Sequence, residues 1–151
     1  MTITYTWRGA LDNTELDSLH AEGFGHPDQP VDLTSDHPAE QPVEQPVEQP
    51  FDWLARLTGH SLGWVCARRA GRLVGFVNVA WDGGSHAFLL DTVVATAAQR
   101  TGIGAELVTR AAAGAREAGC EWLHVDFEPH LRPFYLEACG FGPTEAGLLR
   151  L

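Results

Sequence analysis

The chain has no lysine; all ten of its basic residues are arginine. A phosphate-binding loop of the Walker type ends in Gly-Lys-Ser/Thr, so that class of nucleotide site is excluded. Apolar runs are short as well. None approaches the ~18 residues of a membrane-spanning helix, and the N-terminus lacks a basic region followed by an apolar one. The expectation is a cytoplasmic protein with no membrane partner. Cysteine is scarce: Cys66, Cys120 and Cys139 are odd in number and lack a Cys-x-x-Cys spacing, against both a disulfide framework and a zinc site. Buried free thiols are expected, and the scattered histidines show no metal-ligand spacing, so no metal is expected. Positive charge is missing from one long stretch. Between Asp12 and Asp52 there are eleven acidic residues and no arginine, whereas from Trp53 onward nine acids face nine arginines; the net charge is −10. That distribution disfavours nucleic acid as a partner and is compatible with attracting a cationic amine.

At 151 residues the chain is expected to form a single domain, 1–151, with a core of useful size. Ile3 to Trp7 alternates as a half-buried strand, and Asp12 to Glu15 offers caps for a helix through Leu16, Leu19 and His20. A tract rich in proline, glutamine and glutamate follows at about 27–50, with Glu-Gln-Pro repeated every fourth residue. Such spacing cannot sustain a helix, so a flexible insertion is expected. Phe51 to Leu57 reads as a short helix. Gly63 to Arg69 and Leu73 to Trp81 read as a hairpin turned at Ala70-Gly71. A strand then runs to Val94, apolar and β-branched from Phe88 apart from Asp91. A helix from Ile103 to Ala118 carries Ile103, Leu107, Val108, Ala111 and Ala115 on one stripe and stops at Gly119. Glu121 to Glu128 alternates again, with Trp122, His124, Asp126 and Glu128 on one face. Leu131 to Ala138 reads as a short helix and Leu148 to Leu151 as a last strand, an edge through which a homodimer can form. The five tryptophans are read as core packing, and the order β-α-α-β-β-β-α-β-α-β follows from these periods.

The most informative stretch is Gln99-Arg100-Thr101-Gly102-Ile103-Gly104, where two glycines join a strand to a helix. Unpaired N–H groups at a helix start attract a phosphate, and glycine lets it approach. A dinucleotide fingerprint wants Gly or Ala at the third position, which here is the bulky Leu107. The stretch resembles instead motif A of the GNAT acetyltransferases, Gln/Arg-x-x-Gly-x-Gly/Ala. Val94 lies eight residues before Gly102, as the last valine of the family's fourth strand does. Pro133 to Phe141 is similar to the family's Tyr…Gly-Phe ending. The resemblance runs closely from about 86 to 142 and more loosely from about 60.

This resemblance implies an α/β (α+β) GNAT fold: a mixed, mainly antiparallel sheet with the fourth and fifth strands parallel and splayed, and helices on both faces. It implies acetyl-CoA as co-substrate and a small-molecule or peptide amine as acceptor, joined in a ternary complex. Thr92, Val93 and Val94 would bond the pantetheine arm. Arg100, Thr101, Gly102, Ile103, Gly104 and Ala105 would wrap the pyrophosphate. Tyr135 is the implied acid for the departing thiolate, although its step to Gly140 is five residues where the family usually has four. One extra residue turns a helix by about 100°, so the helix carries a bulge or starts earlier, or Tyr135 packs in the core. A gap-free match back from Gly140 lands on His124 as the base, with Asp126, Glu128, Asp91 or water left open. Trp53 is the aromatic expected to line the acceptor site. Two rivals stand beside this reading: a silent CoA-binding module, and a Rossmann-like domain using Asp126 as ribose ligand.

Overall fold

The computed structural model describes residues 2–24 and 51–151; the expected insertion at 27–50 lies outside them. The chain order is β1 (Ile3–Trp7), α1 (Asn13–Phe24), α2 (Trp53–His60), β2 (Ser61–Arg69), β3 (Arg72–Trp81), β4 (His86–Val94), α3 (Ile103–Glu117) and β5 (Trp122–His124). Strands β1 to β5 lie in sequential order in one sheet. All neighbours are antiparallel except β4 and β5, which are parallel. Parallel neighbours need a crossover, and α3 supplies it. A doubly wound dinucleotide-binding sheet is mostly parallel; this one is not, and the ribose role considered for Asp126 falls with it.

Local chemistry accounts for the ends of these elements. Asp12 Oδ1 accepts from the Glu15 backbone N–H at 2.8 Å, and Glu15 Oε1 accepts from the Asp12 N–H at 3.3 Å. This reciprocal box starts α1. Asp52 Oδ1 caps α2 by accepting from the Ala55 N–H. The β2–β3 hairpin turns on Ala70 (φ 49°) and Gly71 (φ 80°), two left-handed residues whose twist matches that of the strands.

The sheet is covered on both faces. Against one, α3 packs the stripe expected for it: Ile103, Leu107, Val108, Ala111 and Ala115 are all buried, against Val65, Val77, Val79 and Leu89. Against the other, α1 and α2 contribute Leu16, Leu19, Trp53 and Leu57, packed on Trp64, Cys66, Phe76 and Val93. Cys66 is free and buried, and desolvation pushes its thiol up to about 12. Cys120 and Cys139 are free but only half-buried, so full burial holds for one thiol of three. Trp122 is 63 % exposed and Trp81 also faces solvent, departing from the expected core packing.

Three expected elements differ. The alternation of Glu121 to Glu128 persists in burial, yet only Trp122–His124 pairs with β4; residues 125–128 run on without a ladder. No strand forms at Leu148–Leu151, whose leucines are exposed. Three leucines and an arginine without a partner edge leave their backbone groups to water, and the strand on which pairing with a second copy rested is not formed. The expected helix at 131–138 is a 3₁₀ turn (Pro129–Leu131) followed by a π-helical segment (Pro133–Ala138). Among the described residues no helix is long and apolar enough to cross a membrane, and no group of three or more His, Cys, Asp or Glu is placed to hold a metal ion.

Candidate active site

The site is organised by the parting of β4 from β5. The two strands pair only at His86–Trp122, Ala87–Leu123 and Phe88–His124. Beyond Phe88, β4 carries a register shift opposite β3 between Phe76 and Asn78, and Asp91 takes a left-handed φ of 55°. The extra residue bends the strand, and the edge of β4 from Leu90 to Val94 is left without a strand partner on that side.

The Ala95 N–H donates to the Val74 carbonyl of β3 at 2.9 Å. Successive N–H groups of a strand point to opposite sides, so the Val94 N–H points into the opening. The Val94 carbonyl, on the same side, accepts from Gln99 Nε2 at 3.2 Å, which ties the start of the glycine turn to β4. A 3₁₀ turn at Thr96–Ala98 follows, closed by the Thr101 hydroxyl donating to the Ala98 carbonyl at 2.7 Å. Arg100 (φ 60°) and Gly102 (φ 86°) are both left-handed.

Gly102 is the N-cap of α3 and brings no side-chain acceptor to it. The N–H groups of Ile103, Gly104 and Ala105 therefore carry the positive end of the helix without a capping oxygen, which suits a phosphate. The two glycines serve different ends. A Cβ on Gly102 would meet nothing within 4 Å, so its backbone angle is what calls for glycine; a Cβ on Gly104 would lie 3.2 Å from the Phe134 ring. Gly104 admits that ring, not only an anion. Arg100 and Thr101 are exposed, Ile103 is buried in the core, and Ala105 is half-buried. Gly102→Ala keeps the space but places a Cβ at φ 86°, a strain of about 1–2 kcal/mol. It is expected to lower the stability of the fold by that amount, as read from the denaturant midpoint.

Tyr135 sits in the π-helical segment, and there the extra residue before Gly140 is absorbed. The Cys139 N–H donates to the Phe134 carbonyl five residues back, at 2.9 Å, and the Phe141 N–H reaches the Tyr135 carbonyl at 3.0 Å. A bulge of this kind lets a helix keep its side-chain direction across an insertion. The Tyr135 ring is buried, stacked on Phe127 with centroids 4.9 Å apart and edge-on to Phe134 and Phe141. Burial pushes the phenol above its ordinary pKa, with the Thr92 side chain of β4 pulling it the other way. The phenol thus stays protonated at neutral pH and lies beside β4 where the strand borders the opening.

The opposite face of the sheet holds a polar network in an otherwise apolar layer. His20 Nε2 lies 3.2 Å from Asp91 Oδ1, Asn78 Nδ2 donates to Asp91 Oδ2 at 3.4 Å, and Arg56 reaches the same oxygen at 3.4 Å. The Ser61 hydroxyl donates to Asn78 Oδ1 at 2.6 Å. Burial works to raise the Asp91 pKa, but the His20 hydrogen bond, the Arg56 charge and the Asn78 bond together hold it below 3.8. A carboxyl depressed on folding stabilises fully above its unfolded pKa, and that contribution is lost as pH falls through the lower folded value. Below pH 3.8, stability is therefore expected to fall more steeply in the wild type than in Asp91→Asn, as read from denaturant midpoints against pH.

His124 ends the paired part of β5. Its Nε2 is 2.7 Å from His86 Nδ1, and its ring stacks on Phe88 at 4.8 Å. It is exposed, as are Asp126 and Glu128. Trp53 does not line an open surface: it is 1 % exposed, with Nε1 donating to Asp17 at 3.4 Å. The exposed large apolar side chains include Phe24, Phe51, Phe88 and Trp122.

Comparison with known proteins fits this geometry. A family model described as the acetyltransferase (GNAT) family matches residues 30–141. The chain belongs to the GNAT acetyltransferase family. No curated protein matches it. Among solved structures, it resembles a GNAT family protein from Streptococcus pneumoniae TIGR4, with TM-score 0.69 and 19 % identity over 99 % of this chain and 98 % of that one. Glucosamine-6-phosphate N-acetyltransferase from Arabidopsis thaliana matches with TM-score 0.66 and 14 % identity over 98 % of both chains. AAC(6')-Iy, in complex with a CoA-containing bisubstrate analogue, matches with TM-score 0.66 and 16 % identity over 100 % of this chain and 98 % of that one. At these identities the likeness establishes the fold. In this GNAT chain the sequence marked Asp91 as a polar break in an apolar strand and as one of the open candidates for the base. It placed His20 on the stripe of α1 but gave no sign of its pairing with Asp91, 71 positions away.

Proposed function

We propose that the chain transfers the acetyl group of acetyl-CoA to an amine by direct attack in a ternary complex. The observation that carries this reading is the opening between β4 and β5, with the Val94 N–H aimed into it and the N-terminus of α3 beside it without a capping side chain. Thr92, Val93 and Val94 would hold the pantetheine arm along β4. The first turn of α3, from Gly102 to Ala105, would receive the pyrophosphate, with Arg100 adding charge.

Three physical demands remain. A lysine-like amine is deprotonated about one part in ~10³ at neutral pH, an obstacle of roughly 4–5 kcal/mol, so a proton acceptor is needed. The thioester oxygen gains charge on attack, and a fixed N–H such as that of Val94 stabilises it. The departing thiolate needs a proton, and Tyr135 holds one where β4 borders the opening. Transfer from phenol to thiolate is uphill by about 2 kcal/mol at ordinary pKa values, and more with the phenol raised by burial. That cost is small beside the whole barrier. On the acceptor side, His124 paired with His86 and His20 paired with Asp91 are two arrangements able to take the proton of the amine.

The reading is tested by thermal unfolding with and without acetyl-CoA. A ligand at 100 times its Kd stabilises by about 2.7 kcal/mol, a readily seen rise in midpoint. Absence of any rise at millimolar acetyl-CoA removes the donor site. The deep burial of Tyr135 favours one second reading, a CoA-binding module without turnover. Binding of acetyl-CoA with no acetylation across an amine panel would establish that instead.

A further inference from the structure

His20 lies in α1, with its ring between Phe24 and Trp53 at centroid distances of 4.7 Å each. Its Nε2 faces Asp91, and its Nδ1 is buried with no hydrogen-bond partner among the described residues. A buried polar atom without a partner is costly and rare in a native structure. Its chemistry here is constrained. An ionised carboxylate can only accept, so the hydrogen between the two groups belongs to Nε2, and a neutral ring then carries its lone pair on Nδ1. This is the relation between an orienting carboxylate and a proton-accepting imidazole, in which the carboxylate selects the tautomer and later faces the imidazolium. Arg56 and Asn78 hold the carboxylate from α2 and β3, and Asp17 lies near by on α1 through Trp53.

The pair is also in the right place. Asp91 immediately precedes the Thr92–Val94 edge of β4. The α1 helix is pressed onto that edge: a Cβ on Gly23 would lie 2.6 Å from Val93 Cγ2, and the Thr96 N–H donates to Glu22 at 2.5 Å. Trp53 is 1 % exposed, whereas Phe24 is 58 % exposed, so of the two rings that flank His20 only that of Phe24 borders solvent.

We propose that Nδ1 of His20 accepts the proton of the acceptor ammonium, with Asp91 as the positioning residue. The inference rests on the acetyl-transfer reading above. The ammonium gives one proton to Nδ1, leaving a neutral amine and an imidazolium paired with Asp91. The amine lone pair forms the C–N bond at the thioester carbon, and the C–S bond breaks with its electrons on sulfur. The thiolate takes the Tyr135 proton, and the second nitrogen proton lost as the amide forms restores the phenol. His20 returns its proton to solvent, so one proton is released per turnover.

The test uses His20→Gln with acetyl-CoA and two acceptors of similar shape, a strongly basic alkylamine and a fluorinated amine already neutral at the assay pH. A proton acceptor is needed only for the first. The expected result is a loss in kcat/KM of about 10²–10⁴-fold with the basic amine and less than about 10-fold with the neutral one, with acetyl-CoA affinity retained. Asp91→Asn is expected to show the same dependence on amine basicity, which a merely structural role would not produce. Equal losses on both acceptors, or none, overturn the proposal. Should either variant fail to fold, the ¹⁵N resonances of wild-type His20 decide: hydrogen on Nε2 with a bare Nδ1 is required, and the opposite tautomer overturns it. A wild type that binds acetyl-CoA but acetylates neither amine refutes the transfer reading, and the His20 role with it. A wild type that turns over both, with His20→Gln unimpaired, refutes the His20 role alone.

Discussion

Tyr135→Phe is expected to lower turnover by about 10²–10⁴-fold while leaving acetyl-CoA affinity within about threefold. The ring is held by Phe127, Phe134 and Phe141, all contacts that phenylalanine keeps, and the lost hydroxyl costs about 1 kcal/mol of stability. A folded variant that binds the donor and does not turn over isolates the proton itself. Because the thiolate leaves after attack, the defect should appear in kcat and kcat/KM alike, with the acceptor KM little changed. It should shrink with thioester donors whose thiolates are weaker bases. Unimpaired turnover in Tyr135→Phe would reduce this tyrosine to a packing residue.

The second large effect is on stability. Trp53→Ala removes a side chain that is 1 % exposed and packs against His20, Phe51 and Phe76. Truncation of a buried tryptophan costs about 3–5 kcal/mol, a large part of the 5–15 kcal/mol typical of a domain. The thermal midpoint is expected to fall by roughly 6–20 °C. Arg56 lies over the same ring at 5.3 Å and also reaches Asp91, so the loss should loosen the His20–Asp91 pair. Residual activity measured well below the midpoint is expected to fall more than binding of acetyl-CoA does, since the proposed donor side lies on β4 and α3. A variant with an unchanged midpoint would show that α2 contributes little to the core.

Much of the proposed donor side was legible in the residues. The apolar period of α3 named its five buried positions, and Gln99, Gly102 and Gly104 marked the turn before any coordinates. These features are local: a period along one helix and a backbone angle at one glycine are properties of a few consecutive residues. Gly104 was legible only in part, because its neighbour Phe134 lies 30 positions away and the contact exists only once the π-helical segment has docked on α3. The five-residue step from Tyr135 to Gly140 posed a choice between a bulge and a packing role. The structure supplies the bulge and buries the ring as well.

The acceptor side was far less legible. The match from Gly140 led to His124, which the structure places at the end of the paired strand, exposed and bonded to His86. Asp91 stood out as a polar residue in an apolar run. The stripe of α1 placed His20 beside the buried Leu16 and Leu19, but its partner was not legible, since a contact between α1 and β4 leaves no periodic trace.

By itself, then, the sequence determined the order of elements through β5, the glycine turn and the family, since each follows from short-range pattern and backbone preference. Only the tertiary structure decided where β5 leaves β4, why Gly104 is small, and that His20 meets Asp91. Those depend on a bulge that bends one strand and on helices packed from opposite faces of the sheet, where the partners are brought together by the burial of apolar surface rather than by their spacing along the chain.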